Sequence, residues 1–259
     1  MHQRSHRCCF GTDNGMSIWN PWHGCQKISP GCANCYVYRR DAQYGGDSTK
    51  VFRTKDFSLP MKRGRGGTLS LQAEGDYVFT CMTSDFFLEA ADDWRSDIWD
   101  MIRFRTDLHF FIITKRITRM AQCLPPDWGD GYAHVTIGCT VETQNMANIR
   151  LPVFFSLPIQ HRHIICEPLL EELDLTPWLH AEQLEQVLAG GESGSAARIC
   201  RWSWIQSLAA QCRQADVSFF FKQTGSLFEK DGQCYRIPRS QQHTQAQKGQ
   251  LALNAQILK

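Results

Sequence analysis

Three cysteines stand within eleven residues near the start of the chain, in "CQKISPGCANC" from Cys25 through Cys32 to Cys35. Their spacing is C-x6-C-x2-C, and Pro30 and Gly31 between them provide a turn that lets the segment fold back. The three sulfur atoms can therefore converge on one centre. Thiolates in such an arrangement suit zinc or an iron-sulfur cluster.

The residues alone leave three interpretations of this loop open. A structural zinc site normally has four ligands, and His23 is the nearby residue that would complete the set. A [4Fe-4S] cluster normally has four thiolates, so three would leave one iron open to a small molecule. Buried cysteines are the third interpretation, but a polar loop with Gly and Pro packs poorly in a core.

Length and composition place the chain in a broad class. With 259 residues, 42% of them hydrophobic, it is large enough to fold as one α/β domain. A net charge of +2 is too small to indicate nucleic-acid binding by itself, although Lys62, Arg63 and Arg65 form a local basic cluster. Twelve cysteines without an apolar signal segment or a membrane-spanning run predict a reducing cytoplasm and no membrane association.

The chain divides into three predicted parts. Residues 1–15 have neither apolar periodicity nor strand composition and are expected to be a disordered extension. Residues 16–238 are expected to form the folded domain, and the Gln-rich residues 239–259 a flexible tail.

Short apolar runs alternate with amphipathic stretches through the predicted domain, as in repeated βα units around a parallel sheet. Helices are predicted from near Ala33, over 89–105 and over 197–215. The sequence thus predicts an α/β fold with six to seven parallel strands, a partial (βα) barrel. The predicted strands cover 17–20, 77–82, 108–114, 134–141, 161–166, 184–190 and 217–222.

Polar residues stand just past the end of most predicted strands. In βα barrels the carboxyl ends of the strands form the active-site face, so these side chains are expected to meet around one opening. The alternative is that strand ends meet solvent and are polar for that reason. The residues are Ser84, Asp85, Lys115, Arg116, Glu142, Glu167, Glu192, Lys222 and Gln223.

Six motifs resemble a known family. They are "WNPWHGCQKISPGCANCY", "ITKRITRM", "VTIGCTVE", "CEPLL", "LAGGESGSAAR" and "FFFKQTG", and together they span residues 17–225. In this order they resemble the phage-associated radical SAM family long catalogued as a domain of unknown function. The resemblance implies a radical SAM partial barrel with a [4Fe-4S] cluster, similar in arrangement to spore photoproduct lyase.

The resemblance also implies a cofactor and a chemistry. Cys25, Cys32 and Cys35 would ligate the cluster, and the amino and carboxylate groups of S-adenosyl-L-methionine would bind the open iron. Reduction by an electron donor such as flavodoxin or ferredoxin would cleave the sulfonium and release a 5′-deoxyadenosyl radical. The longer first gap, six residues instead of the usual three, leaves the contact to adenine unassigned.

Further residues receive roles by their place on the implied barrel. Ser84 and Asp85 are expected to bind the methionine amino group, and Lys115 or Arg116 its carboxylate. Glu142 suits the ribose hydroxyls. For each of them a salt bridge on the barrel rim is the alternative.

Two residues are candidates for a catalytic role. Glu192, in a Gly-Gly-Glu segment that lacks the ending of a phosphate-binding loop, is expected to face the barrel mouth. Cys139, near the end of the fourth strand, is a candidate hydrogen donor to a product radical. A buried core thiol is the alternative for Cys139.

The expected function is therefore that of a radical SAM enzyme with an unknown substrate. Nucleic acid or a nucleotide is the first expectation, with a peptide or partner protein as the other. The competing hypotheses are a zinc- or cluster-stabilised nucleic-acid-binding module without catalysis, and a degenerate barrel that acts as a scaffold.

Overall fold

A sheet of seven parallel strands organises the protein in the computed structural model, which describes residues 17–73 and 77–251. Each strand pairs with the next one along the chain, and the first and last form the edges. The sheet is therefore a partial barrel, and all seven predicted strands are confirmed. They are β1 (Ser17–Trp19), β2 (Val78–Thr80), β3 (Phe110–Thr114), β4 (Val135–Thr140), β5 (His161–Cys166), β6 (Leu184–Gly190) and β7 (Ser218–Gln223).

The two faces of the sheet bury different clusters because successive strand residues point to opposite sides. The larger cluster joins sheet residues such as Ile112 and Ile137 to helix residues such as Ile98 and Leu151. The smaller one occupies the other face and consists of Phe79, Phe111, Ile165, Leu188 and Phe220. Burial on both faces explains why the strands read as continuous apolar runs.

Six α-helices accompany the sheet in the described part of the chain. Two of them begin later than predicted: α2 follows a 3-10 turn over Glu89–Ala91, and α5 follows residues Cys200–Arg201, which pair with a neighbouring strand. The Thr143 side chain caps α4 by accepting the Met146 N–H at 3.3 Å. The helices are α1 (Tyr36–Gln43), α2 (Asp92–Phe104), α3 (Met120–Cys123), α4 (Gln144–Ser156), α5 (Trp202–Gln214) and α6 (Gln242–Gln247).

Two small sheets lie outside the main one. Trp22–His23 pairs antiparallel with Phe52–Arg53. Leu227–Lys230 lies between Gln233–Arg236 and Cys200–Arg201. Further 3-10 turns cover Pro30–Cys32, Leu59–Met61, Ile117–Arg119, Thr176–Trp178 and Arg239–Gln241.

The two chain ends differ from each other in what the structure describes. The predicted disordered extension over residues 1–15 lies outside the described residues. The predicted flexible tail instead contains a 3-10 turn and α6, which packs beside β7. Gln242 is completely buried and donates to Ser226 Oγ at 2.9 Å, and Ala246 is buried beside it. The Gln-rich composition did not indicate this packing, because Gln242 and Ala246 are the buried residues of α6.

Candidate functional site at the carboxyl ends of the strands

Backbone hydrogen bonds shape the cysteine loop, residues 24–35. Inside it, the Cys32 N–H donates to Ser29 O at 2.9 Å, and the Cys35 N–H donates to Cys32 O at 3.3 Å. The Cys25 N–H donates to Ser48 O at 2.7 Å. Helix α1 begins only at Tyr36, not near Ala33, because this turn and the extended ψ of 131° at Cys35 come first.

The three thiols of the loop differ from most other cysteines of the described chain in exposure. Cys25, Cys32 and Cys35 are partly exposed and form no disulfide. Apart from Cys234, which is exposed, the remaining described cysteines are buried, namely Cys81, Cys123, Cys139, Cys166, Cys200 and Cys212. The loop thiols are therefore placed to meet a ligand, whereas the buried ones serve as apolar packing.

Glu142, at the end of β4, holds the middle of the loop. Its Oε1 accepts the Gly31 N–H at 3.2 Å, and its Oε2 accepts from Arg150 Nη1 at 2.7 Å. Burial alone would raise the pKa of Glu142, but the positive charges of Arg150 and Lys115 outweigh burial and lower it. The carboxylate is thus a charged anchor that fits closely against the loop, because a Cβ at position 31 would lie 2.9 Å from its Cδ.

Glu192, just after β6, holds the two ends of the loop turn. Its Oε2 accepts from Asn34 Nδ2 at 3.0 Å and from the Arg198 N–H at 2.9 Å. The Arg198 guanidinium binds the same carboxylate and donates to Pro30 O at 2.9 Å. Glu192 therefore lies at the mouth, as expected, and its contacts there are with the loop.

Asp85 connects the end of β3 to the loop through Arg116. Its carboxylate accepts from Thr114 Oγ1 at 2.8 Å and from the Lys115 N–H at 2.9 Å, and Arg116 Nη1 lies 3.6 Å away. The same guanidinium donates to Cys25 Sγ at 3.7 Å. Because a carboxylate has about four acceptor positions, these donors leave Asp85 mainly a positioning role. Its predicted contact with a methionine amino group stays a prediction.

Two hydroxyl groups support the backbone on either side of Cys25. The Ser84 hydroxyl donates to Gly24 O, and the Tyr38 hydroxyl donates to Cys25 O. Ser84 thus lies beside the loop, and its predicted contact with a methionine amino group stays a prediction.

Lys115 is the candidate cofactor-binding residue whose charged group remains available. Its side chain is partly exposed and makes no hydrogen bond or ion pair with any residue in 17–73 or 77–251. Its charge contributes to the lowered pKa of Glu142, which places the ammonium near the end of β4. An anionic ligand group at the mouth would find its counter-ion there.

Cys139 lies on the other face of the sheet from the mouth. It is fully buried in the large cluster that joins the sheet to the helices. Burial raises the pKa of its thiol to about 12. This location matches the alternative of a core thiol, since the alternation of side chains along β4 turns residue 139 toward α4.

Residues at the ends of β5 and β7 form a second charged group. They were also predicted to lie at the mouth, but no role was predicted for them. Glu167 accepts from Lys222 Nζ at 2.8 Å and from Gln223 Nε2 at 2.7 Å. A Cβ at Gly190 would lie 3.1 Å from Glu167 Oε1. Because Gly190 has no side chain, the Glu167 carboxylate can lie close to the end of β6.

Three contributors to the loop were not among the predicted site residues: Arg150, Arg198 and Asn34. Arg198 follows Glu192 by six residues within the motif "LAGGESGSAAR". That short spacing could have indicated that the two side chains pair. Arg150 lies two helical turns after Glu142, and no sequence pattern indicates that its helix brings it back to the strand end.

The surroundings of Cys25 favour its protonated thiol. Burial, followed by the Asp85 carboxylate, raises the pKa of Cys25 to about 11 despite the nearby Arg116. After burial, the neighbouring Cys25, Cys35 and Cys32 raise the pKa of Tyr38, whose hydroxyl donates to Cys25 O. A bound metal would replace the thiol protons, since the thiolate is the ligand.

The donor set fits a metal cluster in its chemistry. Within residues 17–73 and 77–251, no three His, Cys, Asp or Glu side chains are grouped as a ready-made metal site. The three thiols nevertheless share one anchored loop, and Arg116 donates to the Cys25 sulfur, as donors do around cluster sulfurs. We therefore take the cysteine loop as the candidate metal centre.

The family comparison covers nearly the whole chain. A family model described as "Protein of unknown function (DUF5131)" matches residues 13–257. The chain belongs to this family. No curated protein and no solved structure matches it. Membership in this family agrees with one part of the resemblance seen in the motifs, namely that the chain belongs to a domain family of unknown function.

None of the helices within the described residues is long and apolar enough to cross a bilayer.

Proposed function

We propose that this DUF5131 protein is a radical SAM enzyme whose [4Fe-4S] cluster binds to Cys25, Cys32 and Cys35. The observation that carries the proposal is the anchored cysteine loop at the carboxyl ends of the strands, which contains three partly exposed thiols. Buried carboxylates from two strand ends hold this loop and are themselves held by arginines. Two buried, charged carboxylates that hold the same loop suit a site whose geometry must stay fixed.

The chain's own residues have distinct tasks under this proposal. Cys25, Cys32 and Cys35 supply the thiolates. When bound, the cluster and S-adenosyl-L-methionine supply a 5′-deoxyadenosyl radical that abstracts hydrogen from a substrate. Lys115 provides the counter-ion for the carboxylate of S-adenosyl-L-methionine, and Arg116 donates to the Cys25 sulfur.

Glu142 and Glu192 act as positioning residues in this proposal. Their carboxylates are engaged by the loop backbone, by Asn34 and by arginines. An electron donor such as flavodoxin or ferredoxin would reduce the cluster. The proposal includes the phage association that the resemblance implies and a reducing cytoplasm, which keeps thiols unpaired.

A second candidate is a zinc-stabilised nucleic-acid-binding module without catalysis. The observation that favours it is His23, whose Nε2 lies 2.8 Å from Asp41 Oδ2. Histidines that ligate zinc through one ring nitrogen usually donate the other to a carboxylate. Zinc with three cysteines and one histidine is a common structural site.

Anaerobic reconstitution separates the two candidates. We expect about four irons and four sulfides per chain, as for a [4Fe-4S] cluster, and 5′-deoxyadenosine that forms only with a reductant. Cys32→Ala should abolish both, whereas Cys234→Ala, at an exposed cysteine outside the loop, should keep both. One tightly held zinc per chain and no cleavage of S-adenosyl-L-methionine would establish the second candidate instead.

A further inference from the structure

Positive charge concentrates in one part of the chain. The basic segment, residues 36–55, contains five Lys and Arg but only two Asp and no Glu. The remainder of the chain has 23 Lys and Arg against 24 Asp and Glu. Both aspartates are engaged locally: Asp41 pairs with His23, and Asp47 accepts from Thr49. The segment therefore presents a net positive surface on a nearly neutral protein.

The basic segment packs directly against the cysteine loop. Ser48 O accepts the Cys25 N–H at 2.7 Å, and the Phe52 ring lies 5.4 Å from the His23 ring. Gly24 approaches so closely that a Cβ there would lie 2.2 Å from Lys50 O. A ligand on this surface would consequently lie next to the candidate metal centre.

Exposed aromatic rings stand among these charges. Tyr36 is 43% exposed, Tyr44 86% and Phe52 52%. Arg40 carries a charge close enough to the Tyr36 hydroxyl to oppose the rise in its pKa, and Arg239 from outside the segment does the same. Flat apolar rings beside guanidinium groups are the elements that bind single-stranded nucleic acid, by stacking bases and neutralising phosphates.

Arg39 adds a cation that has no counter-ion among the described residues. Its guanidinium lies over Gly194, where a Cβ would lie 1.5 Å from Nη1. Its buried Nε has no hydrogen-bond partner, and its side chain forms no ion pair within the described parts of the chain. Because the rest of the side chain is partly exposed and its charge has no counter-ion there, an incoming anion can pair with Arg39.

We propose that the basic segment binds single-stranded nucleic acid and that this strand is the substrate. Bases stack on Tyr36, Tyr44 and Phe52, and the phosphates lie along Arg39, Arg40, Arg53 and Lys55. An acidic peptide would use the charges but not the exposed rings. The assignment of the strand as substrate rests on the proposed radical SAM function, whereas its binding does not.

The experiment measures fluorescence anisotropy of a labelled 20-nucleotide single strand with the anaerobic, reconstituted full chain. The triple variant Arg40→Gln, Arg53→Gln, Lys55→Gln should reduce the steepness of the decrease in log K with log salt by about 0.7 for each phosphate that the variant no longer neutralises. Tyr44→Ala should weaken binding about tenfold without changing this slope, since it removes one stacked base.

A matched control is Arg213→Gln at the end of α5. Arg213 is exposed and lies close to the start of β7, at the opposite end of the sheet from the cysteine loop. It should leave both affinity and slope unchanged. Either of two results would contradict the proposed binding surface. One is binding that does not depend on salt, and the other is competition by poly-glutamate at the same charge concentration as the oligonucleotide.

Cleavage of S-adenosyl-L-methionine is measured in parallel. A strand that binds with the expected slope to a chain without cleavage activity supports the surface and rejects the proposed function. Cleavage by a chain that binds no strand rejects the surface alone.

Discussion

The carboxylate of Glu142 accepts the N–H of Gly31 at 3.2 Å and so joins β4 to the cysteine loop across 111 residues of sequence. Arg150, at 2.7 Å, keeps this buried carboxylate charged. The loop that presents the three thiols is therefore attached to the sheet by a charge-assisted hydrogen bond at its centre.

Gly31→Ala should separate the loop from this anchor. The new Cβ would lie within about 3 Å of the Glu142 carboxyl group, and such overpacking typically costs about 1–3 kcal/mol. We expect a lower free energy of unfolding in urea and a lower iron content after reconstitution. Gly66→Ala is the control, because none of the described residues lies within 4 Å of a Cβ at that position. Equal effects of the two substitutions would contradict the anchor.

Lys115→Met should weaken the binding of S-adenosyl-L-methionine and spare the cluster. Losing one charged hydrogen-bond partner costs about 1.5–3 kcal/mol, which corresponds to about a tenfold to hundredfold rise in Kd. Equilibrium dialysis with labelled S-adenosyl-L-methionine measures the affinity, and iron analysis tests the cluster. Lys50→Met, at an exposed position, should bind normally. An unchanged Kd in Lys115→Met would remove Lys115 from the cofactor site.

Glu192→Gln distinguishes a positioning role from a catalytic one. Without its charge the side chain holds Arg198 less strongly, and the attachment of Asn34 and Pro30 loosens. We expect the rate of iron release to a chelator to rise by about tenfold, for a loss of about 1.5 kcal/mol. Glu229→Gln removes a comparable surface pair with Arg201 and should release iron normally. Normal iron retention without cleavage of S-adenosyl-L-methionine would instead make Glu192 catalytic.

Arg116→Gln should make the reduction potential of the cluster more negative. The guanidinium donates to Cys25 Sγ, and hydrogen bonds and positive charge near cluster sulfurs favour the reduced state. Redox titration followed by electron paramagnetic resonance measures the shift. Arg119→Gln provides the control, since Arg119 pairs with Glu89 and Asp92 away from the sulfurs. A potential that does not move, with the cluster intact, would show that Arg116 only supports the loop backbone.

The low pKa of His109 predicts that the folded state loses stability in mild acid. Burial, followed by the nearby His161, lowers its pKa to about 4, whereas histidine in an unfolded chain has a pKa near 6.5. Between these values the unfolded state binds a proton that the folded state refuses, so stability falls as the pH drops from about 6.5 to about 4.

The loss attributable to His109 amounts to at most about 3.4 kcal/mol, at 1.36 kcal/mol per pKa unit. His109→Gln should flatten the pH dependence of the unfolding free energy in urea over this range. His180→Gln, at an exposed histidine, should retain it. A wild-type curve that does not slope over this range would contradict the buried, neutral His109.

The sequence by itself determined the elements and the thiol spacing. Runs such as "LHFFIIT" are bounded by turn residues and too short for helices, so they identify buried parallel strands. The order of strands follows, because neighbouring βα units pair in sequence. The three loop cysteines were evident from spacing alone, as was the polar edge at the strand ends.

Only the tertiary structure decided what those polar residues contact. Glu142 and Glu192 reach the loop across 111 and 158 residues, and no local pattern encodes such pairings. Cys139 turned toward the helices because strand side chains alternate, and a one-residue difference in register moves a side chain to the other face. Local spacing reveals which groups are available for chemistry, whereas their orientation and partners depend on long-range packing.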